Sequence, residues 1–176
     1  MELLNLFLIL SMLSVNLSQQ FKIKRADQCY MSEIVRKNSG KRLLWSPGNK
    51  IPLLGIRKPH YQQSWIVYEY SYSNGFLRQV RVRIAHRIQK GCRFLVKSKH
   101  SNKLELSNRK SCHFGPTPRS TFVLVRNKAM QVMLMHEQSE LLVVEVGGSL
   151  LLMPASNVQK AIPWNLKFNY EPTACP

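Results

Sequence analysis

One phrase is written three times in this chain. An apolar pair, a polar turn and a second apolar pair recur, each time followed by a Pro-containing loop and an aromatic-led strand. The first copy runs Leu43-Leu44, Ser46-Pro47-Gly48-Asn49, Leu53-Leu54 and Trp65-Ile66-Val67. The second runs Phe94-Leu95, Ser98 to Asn102, Leu104 with Leu106, and Phe122-Val123-Leu124. The third runs Leu142-Val143, Gly147-Gly148, Leu150-Leu151-Leu152 and Trp164-Asn165-Leu166. The copies lie roughly 50 residues apart, and periods of roughly 20 to 50 residues signal stacked or symmetric units. Three units of four strands predict an all-β fold, a β-trefoil of three pseudo-repeated units with about twelve strands. The units are Cys29–Ser73, Asn74–Asn127 and Lys128–Tyr170. Leu43, Leu53, Val67, Leu95, Leu104, Val123, Leu142, Leu150 and Leu166 should then share one core.

Local signals agree with strands. Arg78-Gln79-Val80-Arg81-Val82-Arg83-Ile84 alternates with period two, which turns Val80, Val82 and Ile84 inward and Arg81 and Arg83 to water. Trp65 to Tyr72 is rich in aromatic and β-branched residues. Thr121 to Val125, Ala129 to Met135, Leu141 to Val146 and Leu166 to Tyr170 read the same way. Gly, Pro, Asn and Ser punctuate them, as at Ser73-Asn74-Gly75 and Gly147-Gly148.

Composition matters mostly through charge. Lys and Arg number 26 against 9 Asp and Glu, a formal charge of +17 on 176 residues. Such a balance attracts polyanions. Arg78, Arg81, Arg83, Arg87, Lys90 and Arg93 crowd one short stretch, and Lys97, Lys99 and Lys103 follow on the same unit. These are the candidate polyanion contacts, because Arg forks and Lys points grip sulfate or carboxylate. Dispersed solvated charge is the alternative. Nucleic acid is not expected, since the Tyr68, Tyr70 and Tyr72 stripe is better explained by barrel packing than by base stacking.

The N-terminus reads as a secretory signal over residues 1–20. Leu3 to Leu17 is nearly all apolar, too short to cross a bilayer and of a length that suits a signal. No membrane span is therefore expected. A buried N-terminal helix is the alternative reading. Residues 21–28 form a basic segment in which Lys22, Lys24 and Arg25 offer a processing site after Arg25, or a solvated tail. Residues 29–176 make one domain. An even count of four cysteines in a secreted chain argues for disulfides. First and last strands are neighbours in a trefoil, which favours Cys29 with Cys175 and leaves Cys92 with Cys112.

Catalytic and metal signals are sparse. Asp27 is the only Asp, and the glutamates are scattered, so no carboxylate pair suggests acid–base chemistry. The five histidines, at 60, 86, 100, 113 and 136, show no paired ligand spacing. Cys112-His113 reads as a half-cystine beside a surface His. Neither an enzyme, a cofactor nor a metal is expected; a small secreted hydrolase is the enzyme rival. Gln63-Ser64-Trp65 matches the Q-x-W tripeptide of ricin-type lectins in one unit only.

The apolar register as a whole resembles the interleukin-1 and interleukin-18 cytokine family. Gln28-Cys29-Tyr30 through Leu43-Leu44, Gln62 to Tyr72, Val80 to Ile84, Phe94 to Leu106, Ser120 to Val125 and Trp164 to Phe168 carry the resemblance. It implies a secreted, monomeric cytokine-like ligand that binds cell-surface receptors with immunoglobulin-type domains in immune or inflammatory responses. Heparan sulfate would be a further partner. The stretch Gly91 to Phe114 also resembles fibroblast growth factors, which implies a heparin-binding ligand as the alternative, with a trefoil lectin as the third.

Overall fold

The computed structural model describes residues 26, 28–46, 48–56, 64–74, 77–107, 112, 115–126, 129–156 and 162–169. The expected signal, the basic segment with Lys22, Lys24 and Arg25, and Cys175 lie outside them. Twelve strands follow one another: β1 (Gln28–Arg36), β2 (Arg42–Leu44), β3 (Leu53–Gly55), β4 (Ser64–Asn74), β5 (Leu77–Ile88) and β6 (Gly91–Lys97). Then come β7 (Leu104–Leu106), β8 (Phe122–Arg126), β9 (Val132–His136), β10 (Leu141–Val146), β11 (Ser149–Met153) and β12 (Trp164–Asn169).

All the strand pairings are antiparallel. Hydrogen bonding closes a nine-stranded barrel in the order β1-β2-β3-β11-β10-β9-β8-β5-β4. The hairpin β6–β7 is attached to β5 as two extra strands, and β12 lies between β1 and β9. Through β12 a shorter ring also closes, β1-β4-β5-β8-β9-β12.

This corrects the expected β-trefoil of three equivalent four-strand units. The chain is all-β, but its second hairpin is not equivalent to the other two. β2–β3 and β10–β11 share an edge through Leu53 and Ser149. By contrast, among the described residues β6–β7 meets β11 at the isolated Lys103–Leu151 bridge, with the Leu152 N–H on the Asn102 carbonyl, and forms no strand ladder with it. Repeated apolar pairs dictate which side chains point inward. They carry no information on which strand edges exchange hydrogen bonds.

The barrel interior holds Ile34, Leu43, Trp65, Val67, Val82, Ile84, Phe122, Leu134, Leu150 and Trp164, all buried. Trp65 and Phe122 are fully enclosed. Trp65 Nε1 donates to the Leu43 carbonyl at 2.9 Å, so its one polar atom is satisfied. Three expected core members lie elsewhere. Leu53 is 37% exposed on its three-residue strand, Leu142 packs with Met133 and Val144 in a small cluster of their own, and Val123 is buried outside the main cluster. The Leu166 side chain is outside the described residues.

A second interior forms on the outside of the β4–β5 wall. Ile66, Tyr68, Tyr70, Ala85, Phe94, Val96, Cys29 and Cys92 make it. Register puts Tyr68 opposite Arg83, and Ala85 opposite both Ile66 and Phe94, so these side chains share one face. β4 is therefore covered on both faces, which is why it reads as a nearly continuous apolar run rather than a strict alternation. A disulfide joins Cys92 to Cys112 and fastens the chain after β7 over this outer interior. Cys29 is disulfide-bonded as well. Disulfides fit an extracellular setting.

Candidate functional site: a basic cleft

Arg83 is where sequence expectation and structure part most sharply. Alternation turned it to water, yet it is 2% exposed. The reason is β6, which runs beside β5 and lays Phe94 over the guanidinium. The Arg83 Cζ lies 3.8 Å from the Phe94 ring centroid, a cation–π contact. Its Nε donates to Ser120 Oγ at 3.1 Å and its Nη1 to the Tyr70 hydroxyl at 3.3 Å. Burial pulls its pKa below the ordinary arginine value, while Tyr70 and Tyr68 work the other way. An arginine starts so high that it stays a cation. Burial also pushes the Tyr68 hydroxyl up to about 12, with Arg83 opposing.

Arg83 backs onto a cleft of about 810 Å³ between the β6–β7 hairpin and the turn before β8. Phe94, Val96 and Leu106 line its apolar part. Ser98, Ser107, Thr117 and Gln138 supply hydroxyl and amide groups. Lys50, Arg83, Lys99 and Arg119 supply four positive charges against the single carboxylate of Glu105. That carboxylate is 3.2 Å from Arg119 Nη2. The excess sits in a concave, partly apolar wall, where a field is concentrated rather than dispersed in water.

The cleft is braced from both sides. Arg119 donates from Nε and Nη2 to the Lys97 carbonyl at 3.0 and 2.7 Å, and the Lys97 N–H donates back to the Arg119 carbonyl at 2.9 Å. Across the cleft, the Leu106 N–H donates to the Lys50 carbonyl at 2.7 Å. Ser120 closes its own turn, with its N–H on the Thr117 carbonyl at 2.9 Å and its hydroxyl 2.7 Å from Thr117 Oγ1.

Behind the turn stands His136, fully buried with Phe122 edge-on at 5.6 Å. Its Nδ1 accepts from the Ser139 N–H at 3.3 Å and lies 2.8 Å from the Ser139 hydroxyl, which places the ring proton on Nε2. Nε2 makes no hydrogen bond of ordinary geometry. The backbone of Arg119 and Pro118 lies near enough to favour the charged form, but desolvation dominates and holds the pKa below the usual value. Lys97 and Arg119 add to that lowering.

The predicted basic residues do not gather as one patch. Arg83 and Lys99 line the cleft, and Lys97 braces it through its carbonyl. Arg81 pairs with Glu137. Arg93 lies 5.9 Å from the Trp45 ring centroid. Arg87 and Lys90 are exposed near the β5–β6 turn, and Lys103 is exposed at the bridge to β11. The Arg78 side chain is outside the described residues. Lys50 and Arg119 had no signal in the linear sequence, because only the fold brings residues that far apart together. Among the described residues no group of His, Cys, Asp and Glu could hold a metal ion, and no helix is long and apolar enough to cross a membrane.

A second hollow, of about 250 Å³, is apolar. Leu44, Leu53, Leu54, Gly55 and the Gly147-Gly148-Ser149 turn line it. Gly147 and Gly148 both have positive φ, 58° and 80°, as a two-residue hairpin turn requires.

No family model matches this chain, and no curated protein matches it. Solved structures do. One is the GlcNAcα1-4Gal releasing endo-β-galactosidase from Clostridium perfringens, with a TM-score of 0.57 and 12% identity. The match covers 79% of this chain and 32% of that one, so the chain spans about a third of that enzyme's length. Another is a Caenorhabditis elegans protein of unknown function, with a TM-score of 0.50 and 14% identity, covering 81% of this chain and 96% of that one. At such identities the likeness concerns the fold alone.

Proposed function

We propose that this chain is a secreted, non-catalytic binding protein that holds a polyanion in the cleft between β6–β7 and the Thr117–Ser120 turn. One observation carries the reading: four cations face a single carboxylate around that cleft. A formal charge of +17 supplies the long-range attraction, and the cleft supplies the place where it is concentrated. Disulfide bonding supports the extracellular setting, where sulfated and carboxylated glycans are the abundant polyanions. The receptor-ligand expectation takes its partner from the interleukin-1 resemblance, to which the comparisons lend no support. The proposal therefore rests on the cleft.

Lys50→Gln with Lys99→Gln tests it. Both side chains are exposed, so folding should be untouched. On immobilised heparin the double variant should bind roughly tenfold more weakly than wild type, the scale of two exposed charge contacts. A control double variant, Arg87→Gln with Lys90→Gln, removes the same charge elsewhere. Equal weakening by both pairs would show that net charge alone acts, and the cleft would lose its role.

A further inference from the structure

We infer that the occupant of the cleft is a sulfated saccharide rather than a nucleic acid or an unspecific polyanion. The inference rests on the polyanion reading and names the ligand class for the same site. Three observations carry it.

First, the cleft is poor in open aromatic faces. Phe94 is 2% exposed with the Arg83 guanidinium over its ring, which leaves the imidazole of His100 as the exposed ring among the lining residues. Single-stranded nucleic acid draws much of its affinity from bases stacked on exposed rings. Here a single imidazole could supply it, where a strand of several bases calls for several rings.

Second, the polar lining suits hydroxyl groups. Ser98 and Gln138 stand among the cations, with Glu105 close to Arg119. Hydroxyl and amide side chains both donate and accept, and so do sugar hydroxyls. A chain that was only charged would leave these groups to water. The apolar stretch of Val96 and Leu106 can take the C–H face of a sugar ring.

Third, the cations are spaced around the cleft rather than stacked at one point. Lys50 enters from the loop before β3, Lys99 from the β6–β7 turn, and Arg119 from the turn before β8. Arg83 sits behind the floor and contributes its field through protein rather than water. Separate sulfates on neighbouring sugar units would meet separate side chains. A compact anion would meet one.

The test uses the full chain recovered from culture medium and three probes: a heparin hexasaccharide, the same hexasaccharide stripped of sulfate, and an oligothymidylate matched to the first in charge. Binding is measured by calorimetry at physiological salt. The sulfated hexasaccharide should bind at least about tenfold more tightly than either of the others, since His100 alone offers the oligonucleotide an open ring and sulfate is absent from the stripped sugar. Ser98→Ala with Gln138→Ala should weaken the sulfated sugar several-fold and leave the oligothymidylate unmoved. Ser107 is left intact in this variant because its hydroxyl holds the Phe94 N–H at 3.0 Å. Equal affinity for hexasaccharide and oligothymidylate would overturn the saccharide assignment while the polyanion reading stands. Equal affinity for the sulfated and stripped sugars would overturn the requirement for sulfate. Failure of all three probes to bind would overturn both readings.

Discussion

Inside the barrel, packing is apolar except where the buried rings of His86 and His136 meet Trp65 and Phe122 edge-on, and the Trp65 N–H is answered by the Leu43 backbone. Outside the β4–β5 wall, around Tyr68 and Phe94, the packing encloses a cation and leans on a covalent bridge. The two regions share β4 and β5 as a common partition. Their difference is instructive. A buried guanidinium loses solvation worth several kcal/mol, against which its hydroxyl and ring contacts work. A region kept for stability alone would be better filled with hydrocarbon. The outer interior is the one that borders the cleft, and its cation sits behind the cleft's floor.

Three measurements bear on this contrast, taken from the largest effect down. Trp65→Ala should cost about 3–5 kcal/mol in chemical denaturation, because a fully enclosed indole leaves a cavity the barrel cannot close. A loss under about 1 kcal/mol would mean that the barrel interior is not a single packed core.

Cys92→Ser with Cys112→Ser should cost about 3 kcal/mol, the chain-entropy value for their separation of 20 residues. Heparin binding at a temperature where the variant stays folded should also weaken, since the tether lies over the interior that carries Arg83. Unchanged melting and unchanged binding would show that the outer interior stands without its bridge.

The smallest effect concerns acid. His86 lies tilted against Trp45 at 4.5 Å and edge-on to Trp65 at 5.7 Å, and His136 lies edge-on to Phe122. Burial lowers both pKa values. A folded state that keeps these rings neutral binds fewer protons than the unfolded chain below about pH 6.5. The stability they contribute is therefore complete above that pH and drains away as the solution is acidified. Between pH 7 and pH 5 the loss should be on the order of 1 kcal/mol, and His136→Gln should shrink it. A midpoint that rises on acidification would reverse the sign and contradict the neutral assignment.

Much of the strand layout was legible. Leu141 to Val146 reads as a strand from its apolar run and is β10, and Gly147-Gly148 reads as its turn. The alternation in Arg78 to Ile84 correctly turned Val82 and Ile84 inward. It failed at Arg83, because period two distinguishes the two faces of a strand but cannot say that a neighbour covers the outer one. The repeat of apolar pairs correctly marked Leu43, Leu95, Leu104 and Leu150 as interior. It could not show that the β6–β7 hairpin would stand apart from the other two, since pairing of edges depends on backbone geometry rather than on side-chain pattern. The cleft was half visible. Lys99 stood out among clustered charges, whereas Lys50 and Arg119 are brought in by turns from distant parts of the chain.

The β6–β7 hairpin pairs as a strand ladder with β5, and meets β11, the loop before β3 and the turn before β8 through a bridge and single backbone hydrogen bonds. Residues Ser98 to Asn102 join its two strands at the mouth of the cleft. Lengthening or recolouring that tip would reshape what the mouth admits without shifting a single register pair in the closed circuit. Selectivity in such a molecule is free to drift across generations while its scaffold holds still.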